Sequence, residues 1–470
     1  MKLNLLNECL NLLAVVAADV RRRIPFRITN APIRLLTLAA TLLKRTPVTT
    51  MAMLIIVATS LSAQPASVNY DETKVPAYTL PDPLVCTDGS AVTNAKAWRE
   101  KRRPELVRLF EEQVYGRAPG QPSAMRFETL SVVTNALGGL ATRKEVAIWF
   151  TGKAGGPSMS LLLYIPNAAK KPAPTFLGFN FNGNHAVTTE PDIQLSDRWM
   201  VSERSSCIIS NHATAACRGI EAARWQAEKI LTRGYALATV YYGDLEPDFA
   251  EGWKQGVRAA LSPAGTNTIF QPEEWGAISA WAWGLSRALD YLETEPRVDA
   301  KRVAVLGHSR LGKTALWAGA RDERFAIVIS NDSGEGGAAL ARRCFGERTA
   351  NLNRAFPHWF CGNFKKYSDH EDDLPVDQHE LIALVAPRPV YVASATEDLW
   401  ADPRGEFLAA KGAEPVYQLF SRPGLGVDTQ PAADRSVGDF IGYHLRTGKH
   451  DTTEYDWEQY LNFAERHFHR

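Results

Sequence analysis

A serine set between two glycines carries the strongest chemical signal in this 470-residue chain. It lies in Val303-Ala-Val-Leu-Gly-His-Ser-Arg-Leu-Gly-Lys-Thr314. The apolar run from Val303 to Leu306 reads as a short buried strand. That run stops at Gly307, and the Ala, Leu and Trp content from Leu311 to Arg321 predicts a helix. Ser309 therefore sits on a sharp strand-to-helix turn. Two chemistries use such a turn. One is a nucleophile elbow, which lifts a serine hydroxyl above a parallel sheet. The other is a phosphate cradle, because Gly307-His-Ser-Arg-Leu-Gly-Lys-Thr314 fits G-x-x-x-x-G-K-[ST] letter for letter.

Three features weigh against the cradle. Its backbone N–H groups wrap phosphates best when the loop residues are small, whereas His308, Arg310 and Leu311 are bulky. Most predicted strands precede the loop, while phosphate-loop domains place it on their first strand. A predicted export signal, described below, would also put the chain where nucleotide triphosphate is scarce. The elbow makes its own demand: a serine needs a base, and the base needs an orienting carboxylate. In an α/β-hydrolase these follow in the order Ser, acid at a strand end, His after the last strand. Ser309 is followed by Asp332, by Glu397 and Asp398, and then by His444 and His450. The order fits, with one departure: the second glycine is Gly312, three residues after the serine rather than two.

The elements that must position these groups alternate between strand and helix. The segment 95–115 has helical spacing, with Trp98, Leu106, Leu109, Phe110 and Val114 on one face. Three strands, 125–134, 142–151 and 158–165, read as an antiparallel edge. Buried-type strands follow at 174–181, 234–242, 303–306, 325–332 and 387–395, with 416–420 expected as the last. Glu273 to Glu293 predicts an amphipathic helix whose Trp281 and Trp283 serve packing. Continuous apolar strands separated by helices imply an α/β fold: an α/β-hydrolase with a mostly parallel sheet covered on both faces, and with inserted loops. The insertions fall at 186–222 and 338–375. The loop Asn182-Gly-Asn-His185, after a buried strand, is either an oxyanion-donor loop or an ordinary turn. His212, His358, His370 and His379 are expected in loops without a catalytic part.

The remaining composition bounds the function. A net charge of +1 gives no support for nucleic-acid binding. Residues 1–65 form a leader: Met51 to Ala63 is a short apolar run with small residues at its end and Lys44 and Arg45 upstream, the layout of a secretory signal. Residues 66–470 are expected to be one catalytic domain, secreted or periplasmic, with no stable membrane span in the mature protein. Cys207 with Cys217 and Cys344 with Cys361 are spaced for local disulfides in an oxidising compartment. Cysteine and histidine are too scattered for a structural metal, and no cofactor is expected.

The late glycine points to a family. G-x-S-R-x-G-K at Gly307–Lys313 resembles the elbow of the bacterial-type glucuronoyl esterases, carbohydrate esterase family fifteen. The resemblance extends from the helix near Trp98 to the closing helix. It implies Ser309 as nucleophile, Arg310 as oxyanion stabiliser and Lys313 as a ligand of the uronate sugar. The family acid lies in a segment like Asn331-Asp-Ser-Gly-Glu-Gly-Gly337, giving Asp332; bacterial members carry an acid after the following strand instead or as well, matching Asp398. Gly448-Lys-His-Asp451 resembles the family histidine position, giving His450, with His444 in reserve. Trp400 resembles a tryptophan that contacts the sugar, and Glu347 a carboxylate that binds its hydroxyls. Fungal members have a disulfide-bonded cysteine just before the serine; His308 stands there. The implied substrate is a (4-O-methyl-)glucuronate ester of glucuronoxylan or a lignin–carbohydrate linkage. An esterase for acetylated xylan and a non-catalytic sugar-binding relative are the alternatives.

Overall fold

The computed structural model describes residues 68–202 and 205–468; the leader expected at 1–65 lies outside the described residues. Residues Val68–Arg470 form one compact unit. Its frame is a ten-stranded sheet among the described residues. In chain order the strands are β1 (Arg126–Ala136), β2 (Ala141–Trp149), β3 (Ser158–Pro166), β4 (Ala173–Asn180), β5 (Ala236–Tyr241), β6 (Val298–His308), β7 (Ile327–Asn331), β8 (Val390–Ala395), β9 (Arg435–Gly438) and β10 (Ile441–Arg446). In space they run β1-β2-β3-β5-β4-β6-β7-β8-β10-β9. The five neighbour pairs from β5–β4 to β8–β10 are parallel, and the pairs at both edges are antiparallel.

Strand alternation sends neighbouring residues to opposite faces. Val303 and Val305 of β6, with Val390 and Val392 of β8, enter one core, which also takes Trp281, Leu285 and Trp317 from the helices. Ala304, Leu306, Ile327, Ile329 and Tyr391 enter the other, beneath Trp457, Tyr460 and Phe463 of the closing helix. Both faces are thus covered, which is why the central strands read as unbroken apolar runs. The helices used below are α1 (Arg103–Phe110), α2 (Ala277–Leu292), α3 (Arg310–Arg321), α4 (Gln378–Ala383), α5 (Pro403–Gly412) and α6 (Glu454–Phe468). Trp98, Leu106, Phe110 and Val114 are buried as their spacing required, while Leu109 is only partly so.

Several expectations need correction. The segment 416–420 is not a strand: Glu414–Gln418 is a short helix with Pro415 in its first turn, burying Val416 and Tyr417. The strand that closes the sheet is β10, and it contains His444. His379 lies in α4 rather than in a loop. Cys207 and Cys217 form a disulfide, but Cys344 and Cys361 are free thiols. Their sulfurs approach the backbone carbonyls of Ala341 and Glu112 instead.

The sheet order has a direct consequence for chemistry. β6, β7, β8 and β10 lie side by side and parallel, so their carboxyl ends share one edge. Ser309 follows β6, Asp332 follows β7, Asp398 follows β8 and His450 follows β10. Residues spread over more than a hundred positions are delivered to one row.

Candidate active site

Ser309 has φ 59° and ψ −129°, a conformation that ordinary residues seldom hold. Such strain costs about 1–3 kcal/mol and persists only where the surroundings impose it. Here they do: the Ser309 N–H donates to the Asn331 carbonyl at 2.9 Å, and α3 starts at the next residue. A Cβ on Gly307 would fall on the Leu311 carbonyl, so the strand can turn this tightly only with glycine. Gly312 faces Ser333, where a Cβ would lie 2.9 Å from that side chain and 3.2 Å from the Asn331 carbonyl. The late glycine therefore marks the place where α3 crosses the end of β7. Lys313, whose spelling suggested phosphate, is buried; its ammonium donates to the Ser333 and Glu335 carbonyls and lies 3.4 Å from Glu347 Oε2.

Of the two candidate histidines, only one is placed to act as a base. His444 is fully buried between the Tyr391 hydroxyl and Asp456, at 3.0 and 2.8 Å, and is a packing residue of β10. His450 is on the loop after β10, with its side chain 42% exposed and Nδ1 2.6 Å from Asp398 Oδ2. Its ring lies 4.4 Å, centroid to centroid, from that of His308. Burial, then His450 and Arg224, push the His308 value far down, so this ring is neutral. His308 Nδ1 in turn meets Asn331 Oδ1 at 2.6 Å, and the Thr452 hydroxyl donates to the same oxygen. Where the fungal pattern has a cysteine, this chain thus packs one imidazole against another.

Two carboxylates reach His450. The ligand atoms of Asp332, Asp398 and His450 lie within 4.8 Å of one another, the one group with metal-ligand spacing among the described residues. Asp332 is the deeper. Its Oδ2 accepts the Asp451 N–H at 3.3 Å and lies 3.5 Å from Arg446, while Oδ1 is buried without a partner. Burial, Glu406 and Asp398 together push its carboxyl well above the usual range. Glu406, on α5, is wholly buried and accepts from the Ser333 and Gly334 N–H groups at 2.8 and 2.9 Å and from the Ser394 hydroxyl at 2.6 Å. It thereby clamps the loop whose carbonyls hold Lys313.

Arg310 points the other way. It pairs with Asp248 and lies over the rings of Trp359 and Phe356, 4.5 and 5.1 Å from their centroids. Asp248 also accepts from the Tyr242 hydroxyl at 2.9 Å, Trp359 Nε1 at 2.8 Å and His358 Nε2 at 3.0 Å. Burial pushes its carboxyl up, but Arg310, His358 and Trp359 outweigh that and hold it below the usual range. His358 lies in a loop, as expected from sequence, and there it holds Asp248. Trp400, 39% exposed, sits on the turn after Asp398, and its carbonyl accepts the Glu347 N–H at 2.8 Å. The amides of Asn182 and Asn184 are committed to Glu221 and the Ser160 carbonyl. Asp248 and Glu406 were missed in the sequence, because neither belongs to a periodic face or a motif; His308 was seen in the elbow motif, but not its stacking on His450.

A serine on a strained strand-to-helix turn, with a carboxylate-bound histidine on the same edge of an α/β-hydrolase sheet, defines the class: a carboxylic ester hydrolase. Residues 265–421 match the model of the fungal glucuronyl esterases. A carbohydrate esterase from an unknown prokaryotic organism is 52% identical over 405 residues, 86% of this chain and 93% of the relative. A 4-O-methyl-glucuronoyl methylesterase from Schizophyllum commune is 28% identical over 73% of this chain and 74% of its own. The solved glucuronoyl esterase from Solibacter usitatus is 54% identical over 84% of this chain and all of that one, with a TM-score of 0.80. The chain belongs to the glucuronoyl esterases, carbohydrate esterase family fifteen.

Proposed function

We propose that this enzyme hydrolyses esters of (4-O-methyl-)glucuronic acid, as in lignin–glucuronoxylan linkages, through a serine acyl-enzyme. The observation that carries the reading is the 2.6 Å contact of Asp398 with His450 on the edge where the strained Ser309 stands. Ser309 Oγ attacks the ester carbonyl while His450 Nε2 takes its proton. Asp398 accepts the Nδ1–H, fixing the tautomer and stabilising the imidazolium. Arg310, next to the nucleophile, meets the negative charge that develops on the carbonyl oxygen. His450 then returns the proton to the leaving alcohol, and water repeats the sequence to free the uronate.

The sugar side follows from the residues beside the elbow. Trp400 offers a half-exposed ring for a pyranose face, and Glu347, backed by Lys313, offers an acceptor for hydroxyls. Lys313 itself acts through that pairing, since its ammonium is enclosed by carbonyls. We assign residues 66–470 to one catalytic domain exported after a leader; the Cys207–Cys217 disulfide supports an oxidising compartment. Among the described residues no helix is long and apolar enough to cross a membrane.

The test is hydrolysis of benzyl glucuronate set against a plain acetate ester. The wild type should prefer the glucuronate, and Ser309→Ala should lose at least about 10³-fold in kcat with an unchanged melting temperature. Retained activity in that variant would remove Ser309 from the mechanism. A preference for acetate would move the enzyme to acetylated carbohydrate.

A further inference from the structure

A cleft of about 430 Å³ opens on the same sheet edge as Ser309 but over different strands. Trp149 at the end of β2, Ser160 near the start of β3, Tyr241 at the end of β5 and Asn184 after β4 form its floor and back. Gln194 and Arg198, from the inserted segment after β4, also line it. Adjacent strands are about 4.8 Å apart, so β5 and β3, two and three places from β6, set the cleft roughly 10–15 Å from the elbow.

At its base lies Asp244, a carboxylate that the ester chemistry does not use. Its side chain is 7% exposed, Oδ2 accepts the Ser160 N–H at 2.8 Å, and among the described residues Oδ1 has only Arg198 Nε, 3.9 Å away. Burial pushes this carboxyl up to about 6. A buried acceptor left short of donors favours a ligand that brings them. The short segment from Asp244 to Asp248 also ties the cleft to the nucleophile, because Asp248 holds Arg310. Four residues span at most about 14 Å.

We infer that this cleft binds neutral pyranose units of the polysaccharide that carries the ester, as a second carbohydrate subsite beside the reacting uronate. The Asp244 carboxylate and the Gln194 and Arg198 side chains suit hydroxyls, and the indole of Trp149, held at Nε1 by Glu128, supplies an apolar surface. Asp244 and Asp197 oppose the single charge of Arg198, so an anionic sugar is disfavoured in this cleft. The identity of the arriving chain rests on the esterase reading; the chemistry of the cleft does not.

The test uses full-length Ser309→Ala protein titrated with linear β-1,4-xylohexaose, alone and with Asp244→Asn or Arg198→Ala added. The amide oxygen introduced by Asp244→Asn would still accept the Ser160 N–H, and Arg198 is a surface residue, so folding is checked twice over by melting temperature. Saturable binding that weakens about tenfold in both added variants is expected. With Ser309 restored, each variant should stay within about twofold of wild type in kcat/KM on benzyl glucuronate and fall about tenfold on the ester in intact glucuronoxylan. No hexaose binding, binding indifferent to both substitutions, or equal losses on the two esters overturns the subsite. A wild type that cleaves neither ester overturns the esterase reading alone, and the hexaose titration then still decides the cleft.

Discussion

The ends of β7 and β8 each bring an aspartate to His450, and the two aspartates are placed for different work. Asp398 is buried, 6% exposed at its side chain, and in direct contact with Nδ1. Asp332 lies beneath, in a left-handed conformation with φ 44°, and its nearest donor is the N–H of Asp451, the residue after His450. Burial and two neighbouring carboxylates lift Asp332 toward its neutral form. On the proposed mechanism Asp398 orients the ring, while Asp332 holds the loop that carries it through the Asp451 N–H. Chain order alone leaves these two as equal candidates.

Asparagine substitutions break the comparison most sharply. Asp398→Asn keeps the shape but offers His450 an amide in place of an acceptor-only group, so the ring loses its productive tautomer. A fall of about 10³–10⁴-fold in kcat is expected, as for other triads. Asp332→Asn replaces a group already lifted toward neutrality, so a loss below about tenfold is expected, with little change in melting temperature. Steady-state kinetics on benzyl glucuronate decide it. Equal collapse in both variants would show that the two acids act as one unit.

The Arg310 side is the next contrast: both ionic partners are buried, but Arg310 is itself 18% exposed at its side chain where His450 is 42% exposed. Arg310→Met should lower kcat by about two to three powers of ten while leaving KM within a few-fold, the pattern of a contact made mainly in the transition state. Asp248→Asn leaves the guanidinium stacked on Trp359 and Phe356 but removes its ionic partner. A loss of about tenfold is expected there. If Asp248→Asn matched Arg310→Met, the clamp would matter as much as the charge it holds.

These differences also mark where sequence stops informing. Ser309, Arg310, Gly312 and the strand-end acids were legible because a turn, its glycine and an apolar run are contiguous in the chain. The sheet was legible for the same reason, except near its end. There 416–420 has the apolar letters of a strand but folds as a turn of helix behind Pro415, while β10 hid in a stretch read as loop. Asp248, His358 and Glu406 reach the site through contacts made across 62, 110 and 73 positions of chain, with Arg310, Asp248 and Ser333 respectively. No local pattern encodes such meetings. The Cys344–Cys361 pairing failed likewise: their spacing was suitable, but folding turns the two sulfurs to different carbonyls.

Glu406 gives the smallest effect and the finest test, because it separates folding from chemistry. Burial pushes its carboxyl to about 8 from an ordinary 4.5, against the pull of the Ser333, Gly334 and Ser394 donors and with the help of Asp398. Between those two values the native state keeps a proton that the unfolded chain has released. Stability from this group is therefore fully present below about 4.5 and declines as pH rises to about 8, then levels off. Asp332 and Asp398 face the same carboxyl, and Asp332 titrates in the same direction, so the absolute curve is a composite. The difference between wild type and Glu406→Gln isolates the term: the variant should gain on the wild type steadily from pH 5 to pH 8. In a domain of this size the gain should be a few degrees, since 1 kcal/mol moves the midpoint by about 2 °C. Melting curves that stay parallel across that range would mean that Glu406 is ionised throughout. The clamp on the Ser333 loop would then be a charged one, and Asp332 would sit above a buried anion.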